Sequence, residues 1–149
     1  MRWLTVGCRS VTNFLRSIFS DGLFMTSLLI LSGVVGIMLF FSVAVAPTIF
    51  KVLPQQWASA YVRKFFPKYY AVLGAATLLA AVLTADPATR WVAGVCAALF
   101  AVSLFVLTPA VNRATDQGKK SVFGWLHGLS IFVNMGQLMA LLVVLWQAH

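Results

Sequence analysis

The chain reads as an all-α integral membrane protein, four transmembrane helices in an antiparallel bundle, and three observations carry that reading. Apolar side chains make up 61% of the 149 residues and charged ones 9%, against roughly a quarter charged in an ordinary globular protein. Four stretches lack Asp, Glu, Lys and Arg altogether: Gly22 to Phe50, Tyr69 to Ala85, Trp91 to Asn112 and Ser121 to Gln147. Each approaches or exceeds the roughly 20 residues that cross the hydrocarbon as a helix. No alternating strand pattern supports a barrel, and lipid leaves no other way to pair the backbone. Eleven Lys and Arg against three Asp and Glu give a net charge of +8. The bases never form a dense tract, which argues against nucleic acid as a partner.

The elements follow in order. Residues 1–21 form an amphipathic interfacial segment. Leu4, Val11, Phe14, Leu15, Ile18 and Phe19 fall within about 140° of a helical wheel, with Arg2, Arg9 and Arg16 opposite. That is the pattern of a helix lying in the headgroup plane. Residues 22–149 form the four-helix transmembrane domain, with spans expected at 23–50, 68–85, 87–111 and 121–147. Ala44-Val45-Ala46 imitates a signal-peptide cleavage site. The apolar run is too long for one, and Pro47 sits where the cut would fall, so the first span is a retained anchor. A short interfacial helix is expected between the first two spans, starting at Pro54, carrying Trp57, Tyr61 and Phe65 at fourfold spacing, and stopping at Pro67. Asp86-Pro87 supplies an N-cap and first helical residue for the third span, so the second and third spans pack side by side. Trp125 and Trp146 bracket the fourth span about 32 Å apart, the reach of a bilayer and its interfaces.

Charge bias gives an expected orientation. The first and third loops hold seven of the eleven bases, namely Lys51, Arg63, Lys64, Lys68, Arg113, Lys119 and Lys120. The positive-inside rule puts those loops in the cytoplasm and the termini in the periplasm of a bacterial inner membrane, although the N-terminal arginines pull the other way. Membrane lipids are the expected partners.

Several chemistries are excluded. Cys8 and Cys96 fall in different layers, so there is no disulfide framework. No Cys-x-x-Cys, His-x-x-x-His or carboxylate-pair spacing occurs, nor a phosphate-cradling glycine loop. No catalytic residue, metal site or cofactor is predicted. All three acids lie at span edges or in loops, which weakens a proton-coupled transporter, since that class places a carboxylate inside the bilayer.

The fourth span is unusual. His127, Ser130, Asn134 and Gln137 share a stripe about 80° wide, and such a stripe faces protein or water rather than acyl chains. Gly124 and Gly128 flank it at the spacing that lets a second helix approach. Two readings stay open: interhelical glue worth about 0.6 kcal/mol per hydrogen bond, or a ligand, ion or proton site. His127 is read as a packing residue ahead of a metal or haem ligand. Met135, Met139 and Cys96 are read as core filling ahead of a soft-metal set. Ala46-Pro47-Thr48 and Thr108-Pro109-Ala110 close the first and third spans with a similar pattern, which chance alone could produce.

Several of these residues resemble a known family. Val45-Ala46-Pro47-Thr48-Ile49-Phe50 with Leu53, then Phe65-Phe66-Pro67-Lys68-Tyr69-Tyr70, are similar to the first loop of the transmembrane protein 205-like family, whose bacterial members are filed as a domain of unknown function. Pro109 to Asn112, His127-Gly128-Leu129-Ser130 and Asn134 extend the resemblance from about Leu23 to the C-terminus. It implies a four-span fold without established activity. The association of an animal member with platinum-drug resistance implies export or trafficking. Topology gathers the matched ends at one mouth of the bundle. The candidate ligand or ion set is therefore His127, Ser130, Asn134, Gln137, Asn112, Tyr69 and Tyr70, with Pro47, Pro67, Pro109 and Gly128 as structural positions. Three function classes follow: a small transport, efflux or ligand-handling protein, a non-catalytic partner or assembly factor, and a haem- or quinone-dependent redox protein. The first implies a homo-oligomer, because four helices enclose little volume. The ligand itself is not legible.

Overall fold

A computed structural model describes the backbone of residues 3–148 and the side chains of residues 17–148. Among the described residues there is helix and turn but no strand. The order is α1 (Trp3–Phe40), a π-helical turn (Phe41–Val45), α2 (Ala46–Val52), α3 (Gln55–Leu83), α4 (Pro87–Val102), a second π-helical turn (Ser103–Leu107), α5 (Thr108–Asp116) and α6 (Lys120–Gln147). These join into four rods long and apolar enough to cross a bilayer: Ser17–Val52, Gln55–Leu83, Pro87–Asp116 and Lys120–Gln147. The protein is multi-pass. Each rod packs on the next and α6 returns to α1, which closes an antiparallel ring of four.

The turns explain themselves locally. Leu53 is extended because the following proline ring disfavours helix there, and Pro54 then serves as N-cap of α3. Between α3 and α4, the Asp86 carboxylate accepts the Thr89 N–H at 2.7 Å, and Arg90 donates to the Thr84 carbonyl at 2.6 Å. After α5, Gly118 takes φ +64°, the left-handed conformation that costs glycine least. Lys119 N–H then reaches back to the Ala114 carbonyl and Gly118 N–H to that of Thr115, a Schellman close.

Two boundaries differ from the sequence expectation. Helix α1 runs through residue 21 without a break, so the N-terminal segment continues into the first span. The side chains of its arginine face, with Cys8, lie outside the described residues. Helix α3 likewise passes straight through Pro67, making residues 55–66 the opening turns of the second span. Proline costs an α-helix one hydrogen bond, here to the Arg63 carbonyl. At the membrane surface water can satisfy that carbonyl, and breaking the helix would expose several more groups.

Pro47 and Pro109 are accommodated in another way. Each is the second residue after a π-helical turn, where Ala46 N–H bonds to the Phe41 carbonyl and Thr108 N–H to that of Ser103. The wider turn makes room for a ring that would collide with the carbonyl four residues back. The matching sequence endings of the first and third spans therefore build the same structural break twice, on opposite corners of the ring.

Leu31 and Met38 of α1, Leu73 of α3, Phe100 of α4 and Leu141 of α6 are all completely buried and belong to one continuous core. Helices α3 and α4 pack tightly at Gly74, where an added Cβ would lie 3.3 Å from Phe100 Cβ. Leu29, Val43, Val82, Phe132 and Trp146 are broadly exposed, as a lipid-facing surface requires.

Candidate functional site

The mouth is the end of the bundle where α2 leaves, α3 enters, α5 leaves and α6 enters. Its inner wall is aromatic. Phe41, in the first π-helical turn, stacks on Phe65 of α3 at 5.0 Å between ring centroids and 6° between planes, and meets Phe66 at 5.5 Å and Tyr69 at 5.0 Å. Tyr69 lies edge-on to Tyr70 at 5.3 Å, and Tyr70 leans on Phe100 at 6.3 Å. The fourfold aromatic spacing thus divides in function. Trp57 and Tyr61 remain exposed, while Phe65 turns inward as the outermost half-buried ring of this wall.

Against that wall stands the polar side of α6. The Asn134 side chain reaches the Tyr69 hydroxyl, within interaction distance, yet no hydrogen bond of proper geometry forms. The Tyr69 hydroxyl and Asn134 Oδ1 are both buried without a partner. One turn deeper, Gln137 is 2% exposed. Its Nε2 donates to the Cys96 carbonyl of α4 at 3.0 Å, while its Oε1 has no partner. Native interiors pair nearly every buried polar atom, with protein or with water. Three unpaired atoms on successive turns of the bundle, a hydroxyl and two amide oxygens, are together able to donate one hydrogen bond and accept several.

The remaining candidates lie elsewhere. His127 is exposed and stacks on Phe123 of its own helix at 5.5 Å and 7°. Ser130 donates to the Leu126 carbonyl one turn back, and Asn112 is half-buried on α5. Gly124 and Gly128 have open space where a Cβ would stand. The stripe is continuous on the wheel but not in the bundle, because the buried residues of α6 begin only at Gln137. Its first turns rise past the neighbouring helices, so the same helix face is outside at His127 and inside from Asn134 onward.

Around the mouth lies the basic collar of seven Lys and Arg with Asp116 among them. Arg63 and Asp116 form an ion pair at 2.8 Å between the start of α3 and the end of α5. Both partners are well exposed, so it contributes about 0–1 kcal/mol and registers two rod ends rather than charging the interior. Among the described residues no three His, Cys, Asp or Glu gather where they could hold a metal ion.

Sequence reasoning did not single out Phe41, Phe66 or Phe100 as site-forming, and it had no means of finding the Cys96 carbonyl. A backbone acceptor carries no residue signature, and an aromatic residue in an apolar span looks the same whether it faces lipid or a polar cluster. The chain matches the family described as Domain of unknown function (DUF4149) over residues 29–120. That stretch holds both π–proline breaks, Tyr69, Tyr70 and the α3–α4 turn, and ends before Asn134 and Gln137. No curated protein and no solved structure gives a match.

Proposed function

The chain belongs to the membrane family of domains of unknown function (DUF4149), and on that premise we propose that it is a ligand-handling membrane protein that binds a small uncharged polar solute at one face. The observation carrying this reading is the unpaired trio of Tyr69 hydroxyl, Asn134 Oδ1 and Gln137 Oε1. No charged side chain belongs to the trio, so an ion would enter without a counter-charge, whereas a neutral donor–acceptor molecule pairs with such atoms at no charge cost. The finer kinship, to the transmembrane protein 205-like group, is part of the same reading. It is supported by the way Pro47, Phe65, Phe66, Tyr69 and Tyr70 come together at the mouth. The basic collar supports a cytoplasmic mouth in a bacterial inner membrane. Deeper than Gln137 the bundle is filled by completely buried apolar side chains such as Leu141, so release to the far side requires this core to part.

The test is proteoliposome light scattering with urea, acetamide and glycerol, beside thermal shifts of the purified protein with the same probes. The expected result is a raised melting midpoint with at least one probe, lost in Tyr69→Phe with Asn134→Leu while the unliganded midpoint holds. If no probe shifts the wild type, or the double variant responds as the wild type does, the ligand reading fails. The exposed opening turns of α6, Ser121 to Gly128, favour a second reading as a membrane partner or assembly factor, which constant copurification of one protein would support.

A further inference from the structure

The seam between α3 and α4 is hollow on its lipid side. Small residues line it, Ala71, Gly74 and Ala75 from α3 and Gly94, Ala98 and Ala101 from α4, around a cavity of about 370 Å³. Gly94 also borders a second hollow with Ala81, Val82, Arg90 and Trp91, so the two run together as one groove. Its length from Arg90 to Phe105 is about 22 Å at 1.5 Å per residue. One leaflet of hydrocarbon is about 15 Å deep, half of the bilayer core. The groove therefore starts at headgroup level and passes the mid-plane.

We propose that this groove is a phospholipid site, with the phosphate on Arg90 and one acyl chain laid along the seam. Three features of the groove select that occupant. Arg90 is exposed at the membrane-surface end, on the opposite side from the mouth, with Trp91 beside it in the position of an interfacial aromatic. One guanidinium nitrogen is held by the Thr84 carbonyl at 2.6 Å, which aims the group and leaves the other N–H donors for a phosphate. The neighbouring acid, Asp86, has its carboxylate committed to the Thr89 N–H. Finally, the two hollows of about 370 and 570 Å³, spread over the groove of about 22 Å, leave a cross-section on the order of 40 Å², room for hydrocarbon chain but half of the roughly 80 Å² of a helix about 10 Å across. A second copy's helix does not fit where an acyl chain does. The walls are apolar throughout, as a chain without polar atoms requires.

Gly94 makes the proposal testable without damaging the fold, since a Cβ built there meets nothing within 4 Å. Gly94→Leu fills the groove while α3 and α4 keep their contact at Gly74. The measurement is native mass spectrometry of the delipidated protein titrated with phosphatidylglycerol, phosphatidylcholine and diacylglycerol of matched chains. Both phospholipids are expected to leave one stable adduct, with diacylglycerol about tenfold weaker for want of the charge-assisted contact. Arg90→Gln should bring the phospholipids down to the diacylglycerol level, and Gly94→Leu should abolish all three adducts at an unchanged melting midpoint. Equal adduct occupancy in wild type and Gly94→Leu overturns the proposal. So does efficient disulfide crosslinking of Ala98→Cys between copies in nanodiscs, which would assign the groove to a second chain.

Discussion

The two halves of the bundle use the same kinds of polar residue in opposite ways. In the half away from the mouth, the buried hydroxyls of Ser27, Thr77 and Thr84 each have a local partner. Ser27 donates to the Phe24 carbonyl at 2.7 Å and Thr77 to that of Leu73 at 2.6 Å, and Thr84 accepts the Asp86 N–H at 3.2 Å. In the mouth half, Tyr69, Asn134 and Gln137 each leave a buried atom unpaired. Side-chain length separates the two halves. A serine or threonine can turn back to its own helix, whereas a tyrosine, asparagine or glutamine extends beyond it and must find its partner across the bundle. The far half is thus assembled for stability, and the mouth half holds polar capacity that its own folding does not use.

The largest break in that comparison comes from the apolar core that the two halves share. Phe100 is completely buried, touches Tyr70 and lies against Gly74. Phe100→Ala should cost about 3–5 kcal/mol on the scale of water-soluble cores. The lower end is expected in a bilayer or micelle, where lost packing rather than water exclusion sets the cost. Reversible unfolding of the purified protein in mixed micelles measures it. A loss under about 1 kcal/mol would mean that the shared core does not depend on Phe100.

The difference between local and distant partners also marks how far the sequence could be read. The four spans follow from charge-free length, and the Asp86-Pro87 turn follows from capping chemistry. Both depend on residues close in the chain. Pro67 misleads, because a proline's cost is local while the decision to continue a helix depends on the whole membrane surface around it. Pro47 and Pro109 could be seen to share a pattern, yet the π-helical turn that absorbs each is a backbone rearrangement without a residue code. In α6 the wheel correctly aligned His127 with Asn134, but alignment on a face does not say where along the helix its neighbours begin. Burial starting at Gln137 is a property of three other rods.

A smaller effect separates pairing from packing within Gln137. Its Nε2 bond to the Cys96 carbonyl contributes about 1 kcal/mol, and its unpaired Oε1 costs about as much or more. Gln137→Leu removes both at nearly constant volume, so stability should change by less than about 1 kcal/mol. Gln137→Ala adds a cavity and should cost about 2 kcal/mol or more. The same micelle unfolding experiment compares the two. Equal losses in the two variants would make the side chain a structural tie and place the mouth with the fully paired half.

The smallest expected effect belongs to the far half and depends on pH. The Thr89 N–H holds the Asp86 carboxylate below the ordinary carboxyl range, because the hydrogen bond favours the charged form. A carboxyl depressed on folding stabilises the protein above its unfolded pKa, about 3.9, and loses that contribution as pH falls toward the lower folded value. The wild-type melting midpoint should therefore fall between about pH 5 and pH 3 more steeply than that of Asp86→Asn, whose side chain still accepts from Thr89 but does not titrate. At neutral pH, Asp86→Ala should cost about 1 kcal/mol, the usual loss for an N-cap. Tyr69, Asn134 and Gln137 contain no group that titrates in this window, so the binding response at the mouth should stay level while the α3–α4 turn weakens. Parallel losses of stability and binding over the same interval would show that the two halves act as one unit.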